Sequence, residues 1–79
     1  MDLELIRDGK IEAIEIDNNV YLINKTDEES REVFLKRCYY IIRKMNEGVS
    51  YDLAVQRSYV WRNMEVYKMK YPSSVTKHI

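Results

Sequence analysis

The sequence predicts an α+β protein, in which a three-stranded antiparallel meander precedes a long two-helix hairpin. Three observations predict this fold class. The first third of the 79 residues alternates apolar and polar side chains, the remainder repeats apolar residues every three or four positions, and only two glycines and one proline interrupt the chain. Hydrophobic residues make up 46% and charged residues 33%, a composition typical of a globular chain and not of a disordered one.

One domain is predicted over residues 1–79, because no linker rich in proline, serine or glycine separates the two parts. Within it we expect the meander at 1–25, the first helix at 26–48, the second helix at 50–71 and a tail at 72–79. A chain of this size buries only about 60% of the surface that its unfolded form exposes, so its core is marginal. Association with a partner is therefore expected.

Three strands are predicted in the first 25 residues. Alternation at Leu3 to Leu5 indicates the first strand, and the Asp8-Gly9 dipeptide is a hairpin signal. The β-branched run Ile11 to Ile16 predicts the second strand, and Val20 to Ile23 predicts the third. Between them, Asn18-Asn19 is predicted as a two-residue turn, since asparagine tolerates the positive φ angles of tight hairpins.

This turn sets the predicted register of the last two strands. Ile16 then lies opposite Tyr21 and Ile14 lies opposite Ile23, which gives one apolar face. Other apolar residues of the same strand point to the opposite face. We therefore expect either a bulge near Ala13 or a sheet that is apolar on both sides.

The first helix is predicted to begin at Thr26. Thr26 and Glu29 form a capping box, in which the threonine hydroxyl accepts a hydrogen bond from the Glu29 amide and the carboxylate reaches back. Gly48 ends the helix, since glycine readily adopts the left-handed conformation found after helix C-termini. The apolar stripe of this helix consists of Phe34, Leu35, Cys38, Ile41, Ile42 and Met45.

The second helix is predicted to be apolar on two sides. Ser50 caps it, and Pro72 follows its last residue, because a proline pushes the residue before it out of the α region. One set of residues is expected to pack on the first helix or on the sheet: Leu53, Ala54, Val60, Trp61, Met64, Tyr67 and Tyr71. The second set lies roughly opposite: Tyr51, Val55, Tyr59, Val66 and Met69, interrupted by Arg62.

The second set is the predicted partner interface, because a helix that is apolar on two sides commonly lies between two layers. The expected contacts are Tyr59, Val66 and Met69 at the centre, Tyr51 and Val55 beside them, and Arg62 at the rim. The leading hypothesis is a nonenzymatic protein that forms a homo-oligomer, with a dimer as the first guess, or that docks on another protein. In the alternative, the sheet and the first helix cover both sides of the second helix in a two-layer monomer.

The chain carries no net charge, but its charges are divided. Residues 1–29 hold nine acidic and three basic side chains, whereas residues 30–79 hold ten basic and four acidic ones. This division can orient copies of the chain or a complementary partner, and a solvated charged face would show the same pattern. It can also present a basic face to nucleic acid, which is the runner-up hypothesis. The phosphate contacts would then be Arg37, Arg43, Lys44 and Arg62, with Tyr39, Tyr40 and Tyr59 available for stacking.

No catalytic, metal or cofactor site is predicted. His78 is the only histidine, so neither a Ser/His/Asp nor a Cys/His arrangement is expected. Cys38 lies on the apolar stripe of the first helix, where its expected role is that of a small buried hydrophobic residue. One cysteine and one histidine supply no zinc framework, and no apolar run is long enough for a membrane span. The single cysteine and the lack of signal-peptide features favour an intracellular location.

The helical part carries an ordered set of residues: Arg37-Cys38-Tyr39-Tyr40-Ile41-Ile42, Met45-Asn46, Tyr51-Asp52-Leu53-Ala54, Ser58, Trp61, Asn63 and Tyr71-Pro72. This order resembles a short pattern in uncharacterised proteins of nucleocytoplasmic large DNA viruses. The aromatic residues are tyrosines here where that pattern has tryptophan and phenylalanine. The resemblance implies a small viral protein, intracellular or virion-associated, with no known activity and no catalytic residues to carry over.

The order of one strand and two helices is also similar to that of ribbon-helix-helix repressors. In that family a single strand pairs across a dimer, and here Val20 to Ile23 would have to take that role alone. The helices predicted for this chain are longer than those of that family.

Overall fold

The computed structural model describes residues 7–70 as two strands followed by two helices. The strands are β1 (Ile11–Ile16) and β2 (Asn19–Asn24), and the helices are α1 (Arg31–Asn46) and α2 (Tyr51–Lys70). The predicted α+β class and the order of strands before helices are confirmed. β1 and β2 pair as an antiparallel hairpin, which packs on α1, and α1 packs on α2.

Of the predicted three-stranded meander, the described part of the chain contains two strands. The segment predicted as the first strand, Leu3 to Leu5, lies outside residues 7–70. The predicted turn at Asp8-Gly9 is present, and Gly9 has a φ of +72°, a left-handed conformation that favours glycine. The Nη1 atom of Arg31 donates to the Gly9 carbonyl at 2.7 Å, which ties this turn to the start of α1.

The β1–β2 turn consists of Asp17 and Asn18, whose φ angles are 52° and 67°. Two consecutive positive φ angles are typical of the type I′ turn, whose twist matches that of a hairpin. The predicted turn at Asn18-Asn19 is therefore displaced by one residue, and Asn19 begins β2 instead.

The displaced turn changes which residues pair but not which face they share. Ile14 lies opposite Tyr21, and not opposite Ile23 as predicted. Each pair is shifted by two positions, so the predicted apolar residues keep their common face, and this face packs on the core. The β1–β2 pairing runs without a bulge at Ala13, so the opposite face is apolar as well. That face carries Ile11, Ala13, Val20 and Leu22, together with Glu15 and Asn24.

The core lies between the inner face of the hairpin and the two helices. Its buried apolar residues are Ile14, Ile23, Phe34, Cys38, Ile41 and Ala54. α1 supplies three of them at spacings of four and three residues, as one face of a helix requires. The predicted burial of Cys38 is confirmed.

α1 begins at Arg31, after the predicted start at Thr26. Ser30 is its N-cap, because the Ser30 hydroxyl accepts a hydrogen bond from a first-turn amide at 3.2 Å. The predicted capping box forms in part, since the Thr26 amide donates to Glu29 Oε1 at 3.0 Å. This bond closes a turn ahead of the helix, and the Glu29 carboxylate is shared with Arg37 of α1.

Gly48 follows α1 with a φ of +99°, as its predicted role requires. The amides of Gly48 and Val49 donate at 3.0 Å to the carbonyls of Met45 and Lys44, which is the Schellman pattern. The Ser50 hydroxyl then accepts a first-turn amide of α2 at 3.4 Å. α2 has 20 residues against 16 in α1, so it is about 6 Å longer at 1.5 Å per residue.

Candidate functional site

A group of buried and half-buried polar side chains joins the hairpin to both helices. We call it the buried arginine network, and it consists of Thr26, Glu29, Arg37, Ser58, Tyr59 and Arg62. Arg37 is at its centre and is 0% exposed. Its Nε and Nη2 atoms donate to the two Glu29 carboxylate oxygens at 3.1 and 2.9 Å. The guanidinium also donates to the Asn24 carbonyl at 2.6 Å and to the Ser58 hydroxyl at 3.4 Å.

A second guanidinium, that of Arg62, approaches the same carboxylate from α2. Its Nη1 atom donates to Glu29 Oε2 at 3.4 Å and to the Thr26 hydroxyl at 3.1 Å. The Tyr59 ring contacts both guanidinium groups, with its centroid 4.7 Å from Arg37 Cζ and 5.3 Å from Arg62 Cζ. The network therefore connects the end of β2, the turn before α1, and both helices.

The network holds Glu29 in its ionised form. Burial alone would raise the pKa of this carboxyl group. Hydrogen bonds from Arg37, from the Thr26 amide and from Arg62, together with the charge of Arg37, outweigh burial and lower the pKa below 4.5. Within residues 7–70, every buried side-chain nitrogen and oxygen atom has a hydrogen-bond partner. The network is therefore a satisfied internal ion pair, which fixes the packing of the four elements.

Two of the residues predicted for a partner interface pack inside the chain. The Tyr51 ring stacks on Tyr21 with 5.1 Å between centroids, and its hydroxyl donates to the Leu22 carbonyl. Val55 packs against the hydrophobic core. Both side chains are only partly buried, so the predicted contact of Tyr51 and Val55 with a partner stays a prediction.

The other four predicted interface residues have mixed positions. Tyr59 and Arg62 are half-buried and belong to the buried arginine network, and their predicted contact with a partner stays a prediction. Val66 is half-buried, and Met69 is 61% exposed. The inward side of α2 contains Ser58 and Arg62, polar residues that a search for apolar stripes does not count. Because these two polar residues interrupt the inward side, the apolar pattern of the sequence predicts the wrong inward side for α2.

Apart from Met69, the exposed large apolar residues of α2 lie on its other side and form one surface. We call it the outer face of α2, and it consists of Leu53, Val60, Met64 and Tyr67. Val60 is 63% exposed and Met64 is 56% exposed. Successive residues of a helix are about 100° apart, so this face points away from the buried Ala54 and Ser58. These residues were expected to pack inward, and that expectation is wrong.

A cleft between α1 and α2 continues this surface. We call it the aromatic cleft, and it is lined by Lys36, Tyr39, Tyr40, Arg43 and Trp61. Tyr40 and Trp61 stack across the two helices with 5.1 Å between ring centroids. A depression lined by Tyr40, Arg57, Val60, Trp61 and Met64 joins the cleft to the outer face of α2. A further open depression of about 420 Å³ lies along Val60, Met64 and Tyr67. The two surfaces therefore form one continuous apolar and aromatic region.

Basic side chains border this region. Arg43 lies 5.9 Å from the Tyr40 ring centroid, and Arg57 lines the joining depression. Neither arginine forms an ion pair with another residue of the described range 7–70. Lys36, by contrast, pairs with Glu32 at 3.6 Å. The rim therefore carries two guanidinium charges without a carboxylate partner among the described residues.

The sheet has an exposed apolar surface of its own. We call it the outer face of the hairpin, and it consists of Ala13, Glu15, Val20 and Leu22. Val20 is 64% exposed and lies opposite Glu15. Glu15 and the neighbouring turn residue Asp17 form no ion pair within residues 7–70. This surface therefore combines apolar side chains with unpaired carboxylates.

The residues predicted to contact phosphate are divided by the structure. Arg37 is fully buried, so the expectation that it would lie on an accessible basic face is wrong. The Arg62 side chain is 11% exposed and is occupied by the buried arginine network. Lys44 pairs with Glu47 at 3.6 Å, and both Lys44 and Arg43 lie near the Tyr40 ring. Only Arg43 and Lys44 of the four remain on the surface.

Cys38 is expected to react slowly in the folded protein. Burial raises the pKa of its thiol to about 11, and the charge of Arg37 offsets this only in part. Thiolate is then scarce at neutral pH, so labelling by an aromatic disulfide reagent should be about 100-fold slower than in the urea-unfolded chain. Equal labelling rates for the folded and unfolded chains would contradict this assignment.

Within residues 7–70, no group of three or more histidine, cysteine, aspartate or glutamate residues is arranged to hold a metal ion. No helix in the same range has the length and apolar character that crossing a bilayer requires. Comparisons of the chain with protein-family models, with curated proteins and with solved structures found no match.

Proposed function

We propose that this protein acts without catalysis, by associating with a second copy of itself through the outer face of α2. The observation that carries the proposal is the exposure of Val60 and Met64 on the side of α2 opposite its buried residues. The sheet and α1 pack against one side of α2 only, so the other side keeps its apolar residues at the surface.

The composition of this surface supports the proposal. Methionine, tyrosine, tryptophan and arginine are enriched in protein interfaces, and the outer face of α2 and the aromatic cleft together contain all four. Contiguous exposed apolar patches are uncommon on monomers and commonly mark interaction sites. A small chain also gains relatively more from association, because its own core buries a smaller fraction of its surface. These features favour a partner on α2.

The proposal predicts a solution mass above the 9.6 kDa of one chain at micromolar concentrations, measured by light scattering or sedimentation. Met64→Asp should weaken association at least about tenfold, since burial of a methionine side chain contributes about 1.5–3 kcal/mol. Met69→Asp is the matched control, because Met69 is equally exposed but lies on another side of α2.

Two results would count against the proposal. One is a wild-type protein that stays monomeric at every accessible concentration. The other is an equal loss of association in Met64→Asp and Met69→Asp, which would show that the added charge and not the face is responsible.

The resemblance to viral proteins suggests a setting for this association. We propose that it takes place in an infected cell or in a virion.

A second candidate function is nucleic-acid binding, favoured by one specific observation. The aromatic cleft contains three aromatic rings and two basic side chains, and no acidic residue lines it. Aromatic rings flanked by cations are typical of surfaces that stack bases and contact phosphates in single strands. This candidate keeps Arg43 and Lys44 as phosphate contacts.

The second candidate predicts that the protein retains single-stranded DNA or RNA at about 50 mM salt and releases it as the salt concentration rises. Arg43→Ala and Lys44→Ala should each weaken binding to a similar degree on any sequence, because phosphate contacts carry no base specificity. Absence of retention at low salt would exclude this function.

A further inference from the structure

We propose that the surface that binds the outer face of α2 is the outer face of the hairpin of the next copy. Association is then head to tail, with the helical surface of one chain on the sheet surface of another. This inference rests on the proposed function and adds the identity of the second surface. It commits to a second copy of this chain as the occupant.

The first support is the placement of the two surfaces. β1 and β2 direct Ile14 and Ile23 toward the core, so the outer face of the hairpin points away from the helices. On α2, Tyr51 contacts β2, and Val60 lies nine residues later, about 180° around the helix. One chain therefore presents both surfaces at once, and a copy bound at one surface leaves the other accessible.

The second support is the chemistry of the two surfaces, which are complementary. Each has exposed apolar side chains, represented by Val20 on the hairpin and by Met64 on α2. The hairpin adds the carboxylates of Glu15 and Asp17, whereas the helical surface adds the guanidinium groups of Arg43 and Arg57. These four charges have no ion-pair partner within residues 7–70. A head-to-tail contact brings opposite charges together.

A symmetric contact between two α2 outer faces is less favourable than the head-to-tail contact, because its charges are not complementary. A two-fold axis would place the rims of both copies side by side, and each rim carries Arg43 and Arg57 without a carboxylate. Like charges brought together in this way oppose association. The division of the sequence into an acidic first part and a basic second part has the same consequence, since it makes opposite ends of two copies attract.

Head-to-tail contacts also predict the form of the assembly. Because the two surfaces of one interface differ, each chain keeps one free surface after the first contact, and the pair keeps one of each kind. Such contacts form a ring where the rotation closes and an open chain where it does not. The mass should therefore exceed that of a dimer as the concentration rises.

The test mixes two variants, each with one surface disabled. Met64→Asp disables the helical surface, and Val20→Lys disables the hairpin surface by placing a positive charge opposite the basic rim. We expect each variant alone to be monomeric by sedimentation. Their equimolar mixture should form a species of twice the monomer mass. The intact hairpin surface of Met64→Asp binds the intact helical surface of Val20→Lys. This species should grow no further, because no other intact surface is left.

Several outcomes would overturn the inference. If Val20→Lys associates as the wild type does, or if the mixture stays monomeric, the hairpin is not the second surface. If the wild type itself is monomeric, the proposed function fails as well, so the two failures are distinguishable. Urea unfolding of each variant verifies its fold. Should Val20→Lys fail to fold, Glu15→Lys disables the same surface, and the same outcomes apply to it.

Discussion

Replacement of Arg37 by alanine should lower the free energy of unfolding by about 3–5 kcal/mol, the usual cost of removing one member of a buried ion pair. The variant leaves the Glu29 carboxylate buried, with only the longer contact from Arg62 to balance its charge. It also removes the donors to the Asn24 carbonyl and the Ser58 hydroxyl. A domain of this size has about 4–12 kcal/mol of stability in total, so the loss is a large fraction of it.

Urea unfolding followed by circular dichroism measures this loss. Lys36→Ala is the matched control, because Lys36 lies next to Arg37 on α1 but forms an exposed pair with Glu32. Its effect should stay at or below about 1 kcal/mol. Arg37→Lys should fall between the two, since an ammonium group cannot reproduce the two parallel bonds to Glu29. If Arg37→Ala unfolds at the same urea concentration as Lys36→Ala, the network does not have the stabilising role described above.

Glu29→Gln should have a comparable effect, about 3–5 kcal/mol at neutral pH, and should also change the pH dependence of stability. The folded-state pKa of Glu29 lies below its ordinary value of 4.5. Its contribution to stability is therefore fully present above pH 4.5 and is lost as the pH falls through the lower folded-state pKa. The wild type should lose stability in this acidic window. Glu29→Gln should lose less, because it has no carboxylate at position 29 to be protonated.

The measurement is a series of urea unfolding curves from neutral to strongly acidic pH. Glu32→Gln is the control, because Glu32 is an exposed residue of α1 and its pairing with Lys36 is a surface contact. That variant should follow the wild-type curve at all pH values. Parallel wild-type and Glu29→Gln curves through the acidic window would show that Glu29 is not the group whose protonation destabilises the fold.

Local signals in the sequence predicted much of the fold. Gly48 and Ser50 predicted the boundary between the helices, since a left-handed glycine and a serine cap act within a few residues of themselves. Alternation predicted the inner face of the hairpin even though the turn was placed one residue late. Asp17 and Asn19 are both residue types that suit a tight turn, so composition alone could not choose between the two positions.

The sequence holds two local signals for the start of α1, Thr26 and Ser30, and the contacts of Glu29 distinguish them. Thr26 and Glu29 have the types and the spacing of a capping box, and one of its two hydrogen bonds does form. Glu29 also binds Arg37, eight residues further along the chain. The helix begins only after this carboxylate, with Ser30 as its cap.

The apolar pattern also predicts the inward and outward sides of α2 the wrong way round, for a related reason. Arg62 and Ser58 count as solvent-facing in an apolar pattern, yet both contact the buried Arg37 or its carboxylate partner. One signal could have revealed this, because Arg37 lies within the apolar stripe of α1, three residues after Phe34 and four before Ile41. A charged residue in that position requires buried polar partners on the facing helix. The proposed interface could then have been placed on the opposite side of α2.

The most direct test of this account is to measure the solvent exposure of the methionine methyl groups as the protein is concentrated. Methyl NMR with a soluble paramagnetic probe can follow Met64 and Met69 in the same sample. We expect Met64 to become protected from the probe with increasing concentration, while Met69 stays accessible. Equal accessibility of both methyl groups at every concentration, or protection of Met69 alone, would contradict the claim that the outer face of α2 is the surface by which this protein associates.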